Sequence, residues 1–383
     1  MAAPSEQQTT IFTRMTALAE QTGAVNLGQG FPDFDGPPAV IEAAVSALRA
    51  GHNQYAPLPG VPPLRRAIAD HQRRRYGIEL DADREIQVTF GATEALAAGL
   101  LALLEPGDEV AFLDPTYDSY PAIVALAGAS ARPIVLEPPD WRVRAAAVEA
   151  AIGPRTRVLL LNSPHNPTGR VLDAGELELL AAACVAHDVI AITDEVYEHL
   201  VFEGVHVPIA TLPGMAERTL TVSSIGKTHS VTGWKIGWAA GPAELIARLR
   251  SVKQFLTFAG GTPLQHAAAA ALALPDEVVG ELVRSLSAKR DRLAAGLRAA
   301  GFDVLASQAT YFLNADGRAI GEDDATALCE RLPHEAGVVA IPTSAFAAEP
   351  AGPTRPLVRF AFPKRDEVIE EAVARLARWA AQR

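Results

Sequence analysis

Four short segments combine residue types that could do covalent or acid–base chemistry, and each stands where an apolar run ends. Ser224-Ile225-Gly226-Lys227-Thr228 sets a lysine among small residues at a predicted strand end, where a carbonyl cofactor could reach its amine as a Schiff base. Any one lysine is more often a solvated surface residue, so this segment does not stand alone. The Gly-Lys-Thr triplet is not a P-loop, because that motif needs a glycine five residues earlier, where Thr221 stands. Ser224 and Lys227 also share the spacing of serine acyl-transferases, but the companion Ser-Asp-Asn and Lys-Thr-Gly motifs are absent.

Thr193-Asp194-Glu195-Val196-Tyr197 closes the apolar run 189–192 and puts Asp194 at the carboxyl end of a parallel strand, where α/β sheets place ligand-binding groups. The same aspartate would also serve as a helix cap. Asn162-Ser163-Pro164-His165-Asn166-Pro167-Thr168-Gly169 follows another strand and reads either as a functional loop or as a turn with Asn and Pro in their usual places. Gly91-Ala92-Thr93 joins a strand to a helix whose first turn presents free N–H groups, an anion site unless the glycine only makes a tight turn. In this order, each at a strand end, the four segments are jointly far more specific than any one of them.

Bringing four strand ends together requires a sheet. From about residue 86, short apolar runs alternate with Ala- and Leu-rich helical stretches, the rhythm of a mostly parallel sheet covered by helices. Strands are predicted at 86–90, 109–113, 131–136, 157–162, 189–193 and 219–223, with helices at 93–104, 119–127, 173–187 and 242–251. The last third changes character, with a long helix over 276–300, short strands near 310–314, 338–341 and 357–362, and a closing helix over 366–381. The expected fold class is α/β: a large domain over 45–280 with a mostly parallel central sheet, and a smaller α+β domain from 1–44 and 281–383.

Composition narrows the function. At 383 residues, 49% hydrophobic and 21% charged, the chain is globular and long enough for two domains. The net charge of −11, with basic residues scattered apart from Arg73-Arg74-Arg75, leaves no stripe for nucleic acid; that run reads as a solvated helix face. Cys184 and Cys329 form no CxxC pair, which fits a reducing cytoplasm, and no metal is expected. The polar stretch 1–10 lacks signal-peptide character and no apolar run reaches about 18 residues, so neither export nor a membrane span is expected.

Two longer patterns join these segments: Asn26-Leu27-Gly28-Gln29-Gly30-Phe31-Pro32-Asp33-Phe34, and the Ser-x-x-Gly-Lys-x-x-x-x-x-Gly-Trp-Lys pattern over Ser223 to Lys235. With them the chain resembles, over nearly its whole length, the fold-type-I aminotransferases of class I/II. Within these it is similar to the kynurenine/glutamine/methionine aminotransferases and the actinobacterial N-succinyldiaminopimelate aminotransferases. The resemblance implies pyridoxal 5'-phosphate as cofactor, an amino acid and a 2-oxo acid as substrates, and ping-pong transfer of the amino group.

Carried over residue by residue, the resemblance implies that Lys227 holds the cofactor and then moves the substrate's α-proton, both nucleophile and base. Asp194 would keep the pyridinium nitrogen protonated, and Asn166 and Tyr197, with Asn162 beside them, would bind the ring oxygen. Tyr117 matches the aromatic stacked on the ring, where the bland reading is a core tyrosine. Gly91, Ala92 and Thr93 would hold the phosphate with Ser224 and Lys235. Tyr55 matches a tyrosine that reaches the neighbouring subunit's phosphate, which implies a homodimer with shared active sites.

Arg359 matches the arginine that grips the substrate α-carboxylate, close to Gly30 and Asn166. Within Phe258-Ala259-Gly260-Gly261-Thr262-Pro263, glycines stand where animal kynurenine aminotransferases carry an aromatic-His pair. That exchange is expected to open space for a longer, more polar donor such as N-succinyl-LL-diaminopimelate, with 2-oxoglutarate as acceptor, unless the glycines only permit a backbone bend. Kynurenine, glutamine or methionine transamination and cysteine-conjugate β-elimination are the alternatives.

Overall fold

In the computed structural model, which describes residues 10–383, a seven-stranded sheet carries the four segments at its strand ends. Most of the polar stretch 1–10 lies outside the described residues. The strand order is Ile86–Phe90, Ile236–Ala240, Thr219–Ser224, Ile190–Asp194, Thr156–Asn162, Glu109–Asp114, Ser130–Val135. Only Ile236–Ala240 runs antiparallel to its neighbours.

A parallel sheet covered on both faces needs apolar side chains on both, and Thr156–Asn162 supplies them with period two. Leu159 and Leu161 enter the core on one side with Trp141, Leu177 and Leu180, while Val158 and Leu160 enter the other with Leu96, Leu100 and Leu249. Such runs announce themselves, and all six strands expected from them are present with ends shifted by at most one residue.

The seventh strand, Ile236–Ala240, has no such signature. Its Gly237 answers a tertiary demand instead, since a Cβ there would lie 2.6 Å from the Ala92 nitrogen. The helix beside it, Gly91–Leu103, starts two residues ahead of the expected position, so Gly91 and Ala92 belong to its first turn.

The C-terminal third forms a four-stranded antiparallel sheet in the order Ile341–Pro342, Leu357–Ala361, Phe312–Asp316, Asp303–Val304. The run 338–341, expected as one strand, is divided: Val338 and Val339 pair in parallel with Val25 and Asn26, while Ile341 and Pro342 pair with Arg359 and Val358. One core joins the chain's two ends here, with Met15, Ala19 and Leu27 packed among Leu286, Leu297, Leu313, Phe360 and Leu376. The Ala361 N–H donates to the Leu27 carbonyl at 2.7 Å, which holds the 27–30 segment against the strand carrying Arg359. Among the described residues no helix is long and apolar enough to cross a membrane.

Candidate active site

Asn162 and Asp194 are the last residues of adjacent parallel strands and stand opposite one another in register. The Asn162 side chain ties the strand ends together: Nδ2 donates to the Asp194 carbonyl and Oδ1 accepts from the Asn166 N–H, both at 2.8 Å. The Asp194 carboxylate is buried and accepts from the Tyr120 hydroxyl at 2.7 Å and, less closely, from the Val196 N–H at 3.3 Å. Burial raises its pKa, while Tyr120, Val196 and the positive Lys227 work the other way.

Lys227 follows the Thr219–Ser224 strand on the short turn Ile225–Thr228. Its amine makes one long contact, 3.4 Å to the Gly30 carbonyl, and lies 5.6 and 5.7 Å from the ring centres of Tyr197 and Tyr311. The Tyr311 hydroxyl donates to the Lys227 carbonyl at 2.6 Å and fixes the turn. Burial, helped by Lys235 and Arg359 and opposed by Asp194, draws the amine down to about 8. A buried amine in that range is a usable nucleophile near neutral pH.

Arg359 stands in the middle of Leu357–Ala361 and is 1% exposed. Nη1 donates to Asn166 Oδ1 at 3.1 Å and Nη2 to the Gly28 carbonyl at 3.3 Å, while Nε is buried with no partner. Burial brings the guanidinium down to about 9, partly offset by Tyr197, Asp118 and Tyr117, so a bound carboxylate would relieve it. Gly30 is a tight spot, since a Cβ there would lie 2.6 Å from the Phe312 ring.

At the start of Gly91–Leu103 no side chain caps the helix, and its first-turn N–H groups and dipole favour an anion. Gly91 has φ +75°, and a Cβ on it would lie 3.1 Å from the Lys235 amine, so glycine leaves that ammonium room beside the helix.

Lys227, Asp194, Tyr197, Asn162, Asn166, Arg359 and Gly30 line one cavity of about 310 Å³ together with Gly91, Ala92, Thr93, Ser224, Lys235 and Tyr117. That volume is at the lower end for small-molecule sites. Of the residues given a catalytic, cofactor-binding or carboxylate-binding role from the sequence, Tyr55 alone is not in this cavity. It is 84% exposed and packs edge-on to Phe258 at 5.8 Å.

The structure adds Tyr120, Phe12, Gln29, Phe31 and Phe312 to the lining. Tyr120 was within reach of sequence reasoning, lying three residues after Tyr117, a spacing that a turn brings together: the Tyr120 N–H donates to the Tyr117 carbonyl at 3.0 Å and the two rings meet edge-on at 5.7 Å. Phe12 and Phe312 carry no signal of their own and arrive from distant parts of the chain.

Gly260 and Gly261 stand apart from this cavity. A Cβ on Gly260 would lie 2.6 Å from the Phe90 ring, and Gly261 has φ +55°, so both positions answer to the backbone and to Phe90. Space at this pair does not enlarge the cavity of its own chain.

The family model for class I and II aminotransferases matches residues 22–376. The chain is 53% identical, over 96% of each sequence, to a Mycobacterium tuberculosis protein named probable N-succinyldiaminopimelate aminotransferase DapC. It is 43% identical to the methionine aminotransferase of Escherichia coli, over 96% of this chain and 95% of the other. The solved structure of N-succinyldiaminopimelate aminotransferase from Mycobacterium tuberculosis superposes with a TM-score of 0.95 at 54% identity, covering 97% of each chain. Similarity at this level across the whole fold means that the chain belongs to the class I and II aminotransferase family and that its chemistry is amino-group transfer.

Proposed function

We propose that the cavity binds pyridoxal 5'-phosphate through Lys227 and that the enzyme moves the amino group of N-succinyl-LL-diaminopimelate to 2-oxoglutarate. The observation that carries the cofactor is the meeting, in one cavity, of a buried amine near 8, a buried carboxylate raised by burial, and a helix N-terminus with an ammonium beside it. The donor set fits the group: an amine for its aldehyde, a carboxylate for its ring nitrogen, and N–H groups, a hydroxyl and a lysine for its phosphate. Pyridoxal phosphate, when bound, supplies an electron sink for negative charge at the substrate's α-carbon.

In this reading Lys227 holds the cofactor at rest and then carries the α-proton. Asp194, steadied by Tyr120, keeps a proton on the ring nitrogen. Asn166 accepts from Arg359 through Oδ1, which leaves its Nδ2 free to donate to the ring oxygen alongside the Tyr197 hydroxyl. Tyr117 covers the ring, and Gly91, Ala92, Thr93, Ser224 and Lys235 hold the phosphate. Arg359, beside Gly30, takes the α-carboxylate. Exposed Tyr55 supports a homodimer in which it reaches the partner's phosphate. We also infer a cytoplasmic location and a division into domains over 45–280 and over 1–44 with 281–383.

The choice of donor is supported by the higher identity to the named N-succinyldiaminopimelate aminotransferase than to the methionine aminotransferase, 53% against 43%. Two measurements test the two halves. Borohydride reduction of the yellow enzyme should fix the cofactor on the peptide containing Lys227; a label on another lysine overturns the cofactor assignment. The ranking of kcat/KM for N-succinyl-LL-diaminopimelate, kynurenine, glutamine and methionine, with 2-oxoglutarate as acceptor, should place the first highest. Preference for another donor overturns the substrate and leaves the cofactor standing, and pyruvate release from sulfur conjugates without an acceptor would mark a lyase.

A further inference from the structure

Arg359 is held by more than its hydrogen bonds. The carbon of its guanidinium lies 4.1 Å from the ring centre of Phe312 and 4.3 Å from that of Phe346, and both rings are buried. A cation within about 6 Å of a ring face is attracted to it, more strongly where water is excluded. A planar guanidinium stacked on rings keeps its plane and presents its N–H edge in a fixed direction.

Phe346 also has a fixed place relative to the opposite wall. It ends the turn Thr343–Phe346, and its carbonyl accepts from the Thr116 N–H at 2.7 Å, while the Ala348 N–H donates to Asp114 Oδ1 at 2.8 Å. Asp114 ends a strand of the seven-stranded sheet, and Thr116 immediately precedes Tyr117 in the cavity. Phe346 is therefore anchored to the wall that carries Tyr117 while its ring faces the arginine on the four-stranded sheet.

We propose that Phe346, together with Phe312, is a positioning residue that sets the plane of Arg359 and its distance from the Tyr117 wall, so that the carboxylate-binding edge is in register with the reacting centre. This rests on the reading of Arg359 as the partner of the substrate α-carboxylate. Amino donor and 2-oxo acceptor both carry a carboxylate at that position, so both must depend on the stack to the same degree.

The test compares Phe346→Leu, Phe346→Met, Phe346→Tyr and Arg359→Gln as holoenzymes, reading KM for donor and acceptor, kcat, and the absorbance of the bound cofactor. Losing one ring face should raise both KM values together by about tenfold in the Leu and Met variants, with kcat and the cofactor spectrum little changed, and Tyr should restore them. A rise for one substrate only, or no rise, overturns the proposal. So does a defect in Leu but not in Met, because bulk rather than the ring face would then be responsible. If Arg359→Gln leaves both KM values unchanged, the underlying reading of Arg359 fails first.

Discussion

Asp194 and Glu198 are carboxylates four residues apart, equally buried, and in opposite electrostatic states. Glu198 accepts from the Ser223 and Tyr76 hydroxyls, each at 2.6 Å. Burial pushes it up, yet His199, His71 and the two hydroxyl donors outweigh that and bring it down to about 2. Asp194 has one close donor and one distant one, and burial wins. The difference lies in the number of partners, not in depth. A buried charge with its partners in place is structure, and one without them is a place for a ligand.

The histidines beside Glu198 fit the same account. His71 and His199, with Glu198, have the composition of a metal site, but their Nε2 atoms are 2.8 Å apart. That is a hydrogen bond; two nitrogens on one tetrahedral ion at ordinary bond lengths stand about 3.3 Å apart. Both Glu198 oxygens are also already engaged.

The sharpest contrast should come from Lys227→Ala. It removes nucleophile and proton carrier together, and kcat should fall by at least about 10⁴-fold in an assay with cofactor supplied. Turnover close to normal would move the chemistry to another residue. Asp194→Asn keeps the shape and removes the charge; kcat should fall by about 10²–10³-fold with the cofactor retained, as read from its absorbance. An undisturbed rate would reduce Asp194 to the structural status of Glu198.

Glu198→Gln should respond in stability instead of rate. Its folded pKa of about 2 lies below the ordinary 4.5, so its contribution is full above 4.5 and is lost as pH falls through 2. The variant should be less stable at neutral pH and lack this acid-side loss, as urea midpoints across the window would measure. A fall in kcat without a change in acid stability would erase the contrast.

The smallest effects come from the paired phenols. Tyr120→Phe takes the close donor from Asp194 and should cost about tenfold in kcat. Tyr76→Phe does the same to Glu198 and should cost stability while sparing the rate. Equal kinetic effects in the two would mean that the regions are not distinct.

Much of the site could be read from the chain because its chemistry sits at strand ends. Strands buried on both faces must be apolar runs, and a run that stops at Asn162, Asp194 or Ser224 marks the position where a side chain meets the ligand edge of the sheet. Local information is enough for that. It was not enough for Ile236–Ala240, whose Gly237 is required by a helix start more than a hundred residues earlier in the chain, or for the division of 338–341, where two different sheets compete for adjacent residues. Gly260 and Gly261 show the same limit, since a glycine pair reads alike whether it opens a cavity or satisfies Phe90 and a positive φ.

The sequence by itself determined the parallel α/β scaffold and placed a lysine, a carboxylate one strand before it and an arginine near the C-terminus where the family resemblance calls for them. The scaffold and the strand-end segments follow from periodicity, residue chemistry and spacing, all properties of neighbours along the chain, while the roles given to Lys227, Asp194 and Arg359 rest on the family resemblance. Only the tertiary structure decided that Asp194 stays short of donors while Glu198 does not, and that Phe12, Phe312 and Phe346 gather around Arg359. Burial and partner count depend on which distant segments pack together, and no local pattern encodes that.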